Sequence, residues 1–208
     1  MEIELKYSIG SSEIADAMWD DDEIKQMEEN GSRSQEELSA IYFDTATFDL
    51  LKHDIAYRIR SEGNRVIATV KWNGKATGPL HTREELNINL GEGNHPKEPD
   101  PTVFAQSEIG GELLDIIGNK PLIGIMEVHV SRRKLRVDTN EAIAEIALDY
   151  GSIVTKNGTS PICEAEIELY SGKEESLVAL GEHLSQKYGL EPETRSKFAR
   201  GLALLDKI

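Results

Sequence analysis

The chain has 208 residues and a formal net charge of −15, enough length for one domain with a sizeable core and too acidic for general affinity toward nucleic-acid backbones. Apolar residues make up 38% and charged residues 29%, which fits a closed sheet with a polar interior as well as an ordinary solvated surface. The single cysteine, Cys163, excludes an intrachain disulfide, and no apolar run approaches the length of a membrane span. With no signal peptide before Glu2, the expected location is the cytoplasm.

The first predicted strand runs from Glu2 to Ser8 and places Glu2, Glu4 and Lys6 on one face, Ile3 and Leu5 on the other. A helix is predicted from Ser12 to about Asn30, with Ile14, Met18, Ile24 and Met27 as its inner stripe and Gly31 as its stop. Its Asp20–Glu23 acidic run reads as solvated helix surface rather than a cation loop. Strands are predicted over Leu38–Asp44, Ile55–Ser61, Val66–Trp72 and Arg83–Leu90, with turns at Glu62-Gly63-Asn64 and Asn73-Gly74-Lys75. Gly91–Pro101 reads as a loop, and Thr102–Gly118 as helical with a break at Gly110-Gly111. Four more strands are expected over Gly124–Val130, Lys134–Val137, Ala144–Asp149 and Glu164–Tyr170, then helices over Lys173–Tyr188 and Ser196–Leu205. Eight or nine neighbouring strands point to an antiparallel barrel with helices attached, an α+β fold.

The polar strand faces carry the functional argument. Glu2 and Glu4 share one face, as do Glu164, Glu166 and Glu168. Carboxylates two apart on a strand lie about 7 Å from each other, suited to flanking one hard divalent cation or two. Lys6, Arg58, Arg60, Lys71 and Arg83 occupy alternating strand positions, and Arg132 and Lys134 share a parity later in the chain. Singly, each is most simply a surface charge. Jointly, acidic and basic strands in one small domain point to a charged lumen that holds a metal ion and a polyanion. The five histidines show no metal-ligand spacing, and no G-x-S-x-G, P-loop or G-x-G-x-x-G motif occurs. Cys163 has no evident partner base and reads as a packing residue.

These charged sets resemble those of the CYTH domains of the triphosphate tunnel metalloenzyme family. The resemblance rests on E-x-E-x-K at Glu2 to Lys6, Tyr42-Phe43-Asp44-Thr45, R-x-R at Arg58 and Arg60, Lys71 and Arg83-Glu84-Glu85. It continues through Arg132, the run Glu145 to Gly151, Glu164 to Leu169, and Ser196-Lys197 before Arg200-Gly201. It implies an eight-stranded antiparallel tunnel binding Mg²⁺ or Mn²⁺ through Glu2, Glu4, Glu164, Glu166 and Glu168. It likewise implies a phosphate set of Lys6, Arg58, Arg60, Lys71, Arg83, Arg132, Lys134 and Lys197. Glu85, Glu145 and Asp149 become supporting inward candidates, whereas Arg136 falls where the family pattern is usually apolar.

Among the family's activities, the carboxy-terminal pattern most resembles bacterial inorganic triphosphatases. The expectation is one CYTH domain over residues 1–208, either stand-alone or the front of a longer chain with a helical CHAD domain. Its expected reaction is metal-dependent hydrolysis of inorganic triphosphate, with Glu4, Glu166, Glu168 and Lys6 as catalytic residues. Alternatives are a non-catalytic polyphosphate- or nucleotide-binding module, or hydrolysis of thiamine triphosphate or nucleoside triphosphates. An organic substrate would call for an aromatic platform, for which Trp19 and Trp72 are available.

Overall fold

The computed structural model describes residues 1–93, 95–96 and 98–206. In chain order the elements are β1 (Glu2–Ser8), α1 (Ser12–Trp19), α2 (Asp22–Met27), β2 (Ser34–Thr45), α3 (Asp49–Lys52), β3 (Ala56–Glu62), β4 (Arg65–Thr77) and β5 (Leu80–Glu92). A 3-10 turn (Pro101–Phe104), α4 (Glu108–Ile117), β6 (Leu122–Asp138), β7 (Ala142–Thr155), β8 (Gly158–Gly172), α5 (Glu174–Tyr188), β9 (Glu191–Pro192) and α6 (Lys197–Leu204) follow. The sheet order is β5-β4-β3-β2-β6-β7-β8-β1, and β5 pairs back onto β1. All eight pairings are antiparallel, so the sheet closes into a barrel and has no free edge of its own. The short β9 adds two residues alongside β1.

Strand parity decides what lies outside and what lies within. Leu5, Tyr7, Leu135, Ala144, Ile146, Ala165 and Ile167 point outward and are covered by α1, α2 and α5. On the other flank, Tyr57, Ile59, Val66, Ala68 and Val70 pack under Phe104 and α4. A third apolar cluster sits at one end of the barrel. There the inward residues Ala40, Tyr42, Val128 and Val130 meet Leu202 and Leu205, and the Phe198 ring stacks on Tyr42 at 5.1 Å. Helix α6 thus lies across that end. Gly201 permits the approach, since a Cβ there would come within 2.4 Å of the Met126 sulfur.

Several boundaries differ from those expected. The long first helix is two helices, because Asp21 caps the second by accepting from the Glu23 and Ile24 amides at 2.8 and 2.9 Å. Asp21 also pairs with Lys187 at 2.6 Å, so it is a structural anchor within a run that is otherwise solvated. Asn73-Gly74-Lys75 is not a turn. Strand β4 passes through it with a register shift, Asn73 at φ 52°, and the chain reverses later at Gly78. Gly110-Gly111 lies inside α4, and the break precedes it at Ala105–Ser107. Gly110 is required because a Cβ would fall 1.8 Å from the Phe104 carbonyl oxygen. The two short strands expected between Gly124 and Val137 form one 17-residue strand, β6, since Ser131-Arg132-Arg133 holds no Gly, Pro, Asn or Asp. Within the expected 91–101 loop, β5 extends to Glu92, and Asn94 and Lys97 lie outside the described residues.

Leu202→Ala should lower the unfolding free energy by about 2–5 kcal/mol in urea titrations, because Leu202 is almost fully buried in the cluster that seats α6. A loss well below about 1 kcal/mol would mean that α6 is not held by this packing.

Candidate active site

The barrel encloses a cavity of about 530 Å³. Three adjacent strands build one wall of it from carboxylates. Register places Glu4 of β1 beside Glu168 of β8, with Glu168 in turn beside Glu145 of β7 and Glu164 beside Asp149. Across the lumen, β3 and β4 carry Arg58, Arg60 and Lys71; β5, hydrogen-bonded to β1, sets Arg83 directly beside Glu2 and adds Glu85, and β6 contributes Arg132 and Lys134. Lys197 enters from the first turn of α6. Glu2, Glu4, Lys6, Glu145, Asp149, Glu166 and Glu168 also line the cavity, whereas Glu164 is buried behind Lys197 and Arg200.

The cations and carboxylates are extensively paired. Lys197 Nζ lies 2.8 Å from Asp149 and 2.9 Å from Glu166, and it bonds Glu164 as well. Arg132 grips Asp149 with two bonds of 2.7 and 2.6 Å and donates to Glu166 at 2.6 Å. Lys6 bridges Glu166 and Glu4, the latter at 3.2 Å. Arg83 joins Glu2 at 2.5 Å and Glu4, while Lys71 reaches Glu2 at 3.1 Å and Glu85. Lys134 sits among Glu36, Glu62 and Glu145 at 3.2, 3.4 and 3.8 Å.

Three groups break this pattern. Arg58 donates to the Tyr42 hydroxyl at 3.4 Å, and Arg60 approaches Glu62 at 3.2 Å. The Nε donors of Arg58 and Arg60 are nevertheless buried and, among the described residues, without a partner. Such orphaned donors are what an anionic ligand satisfies. The third group is Glu168. Among the described residues it has no ion pair, and burial together with the charges of Glu2, Glu4 and Glu166 pushes its carboxyl up to about 7. Glu166 contrasts with it: burial would raise its pKa, but Lys197, Lys6 and Arg132 hold it well below the usual carboxylate range. Burial and the neighbouring Arg83 and Arg58 hold the Lys71 ammonium below its ordinary value.

The donor set suits a hard divalent cation. Asp149, Glu164 and Glu166 each offer an oxygen within 4.8 Å of the others, and Glu4 and Glu168 lie on the flanking β1 and β8 positions. Asp149 belongs to this acidic cluster and Glu2 does not, because β7 and β8 bring Asp149 beside Glu164.

Two cations outside the sequence-derived set act at the site, one lining the cavity and one behind its acidic wall. Arg136 lines the lumen, its guanidinium 4.0 Å from the Tyr170 ring, with a 2.7 Å bond to the Tyr170 hydroxyl. Its parity with Arg132 and Lys134 was the available signal. Arg200 holds Glu164 at 2.8 Å, and its spacing of three from Lys197 puts both on one helix face. Trp19 stands outside the barrel between Arg33 and Arg133, at 4.3 and 5.5 Å, whereas Trp72 borders the cavity. Cys163 is half-buried, and burial together with Glu164 raises its thiol, in keeping with a packing role. Among the described residues, no helix is long and apolar enough to cross a membrane.

A family model described as the CYTH domain matches residues 1–202. An inorganic triphosphatase from Haemophilus influenzae is 29% identical over 171 residues, 82% of this chain and 46% of the relative. The chain therefore spans about half the length of that curated relative. A Hippeastrum protein with a dominant triphosphatase activity superposes with a TM-score of 0.66 at 19% identity, covering 98% of this chain and 96% of the other. A Pyrococcus horikoshii protein superposes at 0.58 with 24% identity over the whole of both chains. Both likenesses establish the shared fold.

The raised Glu168 carboxyl has a measurable cost. Its pKa stands at about 7 in the folded chain against an ordinary 4.5, so an unfolded chain sheds this proton first as pH rises. Folding stability should fall between these values, and Glu168→Gln should remove the loss. In the presence of a chelator the variant should gain about 3 kcal/mol over wild type at pH 8 and almost nothing near pH 4.5. An equal effect at both pH values in thermal unfolding would show that Glu168 is not strained by its neighbours.

Proposed function

Since the chain belongs to the CYTH domain family, we propose that it hydrolyses inorganic triphosphate to diphosphate and phosphate with Mg²⁺ or Mn²⁺ as cofactor. The observation that carries this reading is the pair of buried, unpartnered guanidinium donors at Arg58 and Arg60, facing a carboxylate wall across the lumen. A linear triphosphate complements that arrangement, with its oxygens toward the cations and a metal toward the acids.

In this reading Arg58, Arg60, Lys71 and Arg83 hold the phosphate chain from one side, and Lys6, Arg132, Lys134 and Lys197 hold it from the other. Their charges stabilise the transferring phosphoryl group as negative charge shifts onto the leaving oxygen. Glu2, Glu4, Glu164, Glu166 and Glu168, together with Asp149 of the oxygen cluster, would hold the metal. When bound, a divalent cation supplies charge neutralisation at the phosphate oxygens and a more acidic water. Glu168 is the residue suited to accept the proton of the attacking water, because it lines the lumen and, among the described residues, no lysine or arginine pairs with its carboxylate. Glu85, Glu145 and Asp149 keep Lys71, Lys134 and Arg132 in position.

The inorganic substrate is favoured over organic triphosphates by what surrounds the aromatic groups. One face of the Tyr42 ring is covered by Phe198 and its hydroxyl is engaged by Arg58, while Trp72 packs against the outer core. Of the other aromatic residues bordering the cavity, Tyr170 already carries the Arg136 guanidinium on its ring, so a nucleobase or thiamine ring would have to displace Arg136 to stack there.

Phosphate release should be fast from inorganic triphosphate with Mg²⁺ or Mn²⁺, slow from ATP and thiamine triphosphate, and abolished by EDTA. Release that ignores EDTA, or that is equal for ATP, contradicts the proposal. Binding without release would make the tunnel a polyphosphate receptor. Glu4→Gln should lower turnover by about 10²–10³-fold with the fold intact. Arg58→Ala should mainly raise KM, by roughly 10–100-fold, the worth of a charge-assisted hydrogen bond; an unchanged KM would remove Arg58 from the phosphate set.

A further inference from the structure

Ten basic and nine acidic side chains line the cavity, so a chain with net charge −15 has an almost neutral lumen. That balance is local as well as global. The three residues whose carboxylate oxygens cluster within 4.8 Å, Asp149, Glu164 and Glu166, are the same three that surround the Lys197 ammonium. Lys6 is placed likewise between Glu4 and Glu166. Each lysine therefore sits where a metal ion would find its carboxylates, and each is also a cation that a phosphate chain would attract.

We propose that Lys6 and Lys197 are resident counter-ions of the carboxylate wall, so that metal and triphosphate each bind tightly only when the other is present. The inference rests on the lumen being a metal and triphosphate site, but it does not depend on turnover. A divalent cation entering alone meets carboxylates that are already neutralised, with two ammonium groups in its path. Triphosphate entering alone draws these cations away and leaves Glu4, Glu164 and Glu166 facing one another and the anion. When both enter, the lysines swing to phosphate oxygens as the carboxylates turn to the metal, and every charge keeps a partner. Lysine suits this exchange, having a flexible stem and a compact charge. The base of Lys197 stays fixed meanwhile, because α6 is seated by Leu202 and Leu205.

The test is calorimetry on the full chain with a triphosphate whose bridging oxygens are replaced by NH, in EDTA at pH 8.5. Glu166→Gln frees Lys6, Lys197 and Arg132 together and should bind this analogue about tenfold more tightly than wild type, within the ordinary range of coupling between sites. Glu168→Gln removes the same charge from the same wall without releasing a cation, and should shift binding by less than about threefold. In the reciprocal arm, Lys197→Met should tighten Mn²⁺ binding in the absence of phosphate by about tenfold, read by the loss of the free-ion EPR signal. Arg132, Arg200 and Lys6 still partner the carboxylates in that variant, so this arm decides the matter should Glu166→Gln not fold. Equal analogue affinity in the two glutamine variants, or unchanged Mn²⁺ affinity in Lys197→Met, overturns the proposal. If wild type binds neither ligand even when both are supplied, the functional reading fails with it.

Discussion

Lys197 is surrounded by Asp149, Glu164 and Glu166, and this contact shows the condition under which the whole barrel exists. An ionised group removed from water costs several kcal/mol unless an opposite charge and further hydrogen bonds replace its solvation. A barrel with inward Glu, Asp, Arg and Lys on nearly every strand meets that cost only by interleaving the signs. The strand order does so, setting the carboxylates of β7, β8 and β1 beside the cations of β6 and β5 and across from those of β3 and β4. Apolar packing is displaced to the outer face of the sheet and to one end of the lumen. The 38% apolar content of the chain suffices because the barrel interior makes little use of it.

Helix α6 ties the apolar and polar parts together. Its Phe198, Leu202 and Leu205 fill one end of the barrel, while Lys197 and Arg200 on the same short helix hold the acidic wall. Ser196 starts the helix by accepting from the Ala199 amide at 3.1 Å, which fixes where Lys197 enters. Packing at that end thus sets the geometry of the charges beyond it. A defect in the plug would disturb the site although no plugging side chain is charged.

The strand faces were legible because parity is a local property. Glu2-Ile3-Glu4-Leu5-Lys6 alternates so regularly that the inward set follows from five residues, and the same holds for Arg58 to Arg60 and Glu164 to Glu168. Strand ends were less legible. Asn73-Gly74 looks like a hairpin turn, but a positive φ at an asparagine serves a bulge equally well, and only the partner strand decides between them. The pairing of charges lay beyond the sequence. Asp149 meets Glu164 through the β7–β8 register, and nothing within either strand announces that Arg132 will hold Asp149 while Arg58 and Arg60 keep orphaned donors. Arg136 had the right parity and was set aside because the family pattern there is usually apolar; the structure returns it to the lumen, against Tyr170.

The central claim is that the two walls divide the work, acids for metal and bases for phosphate. A crystal structure with Mn²⁺ and the NH-bridged triphosphate, with anomalous diffraction recorded at the manganese edge, tests it most directly. The account predicts a manganese peak within bonding distance of Glu4 and Glu166, with the phosphorus atoms lying toward Arg58 and Arg60. A peak on the acidic exterior, or an anion outside the barrel, would contradict it.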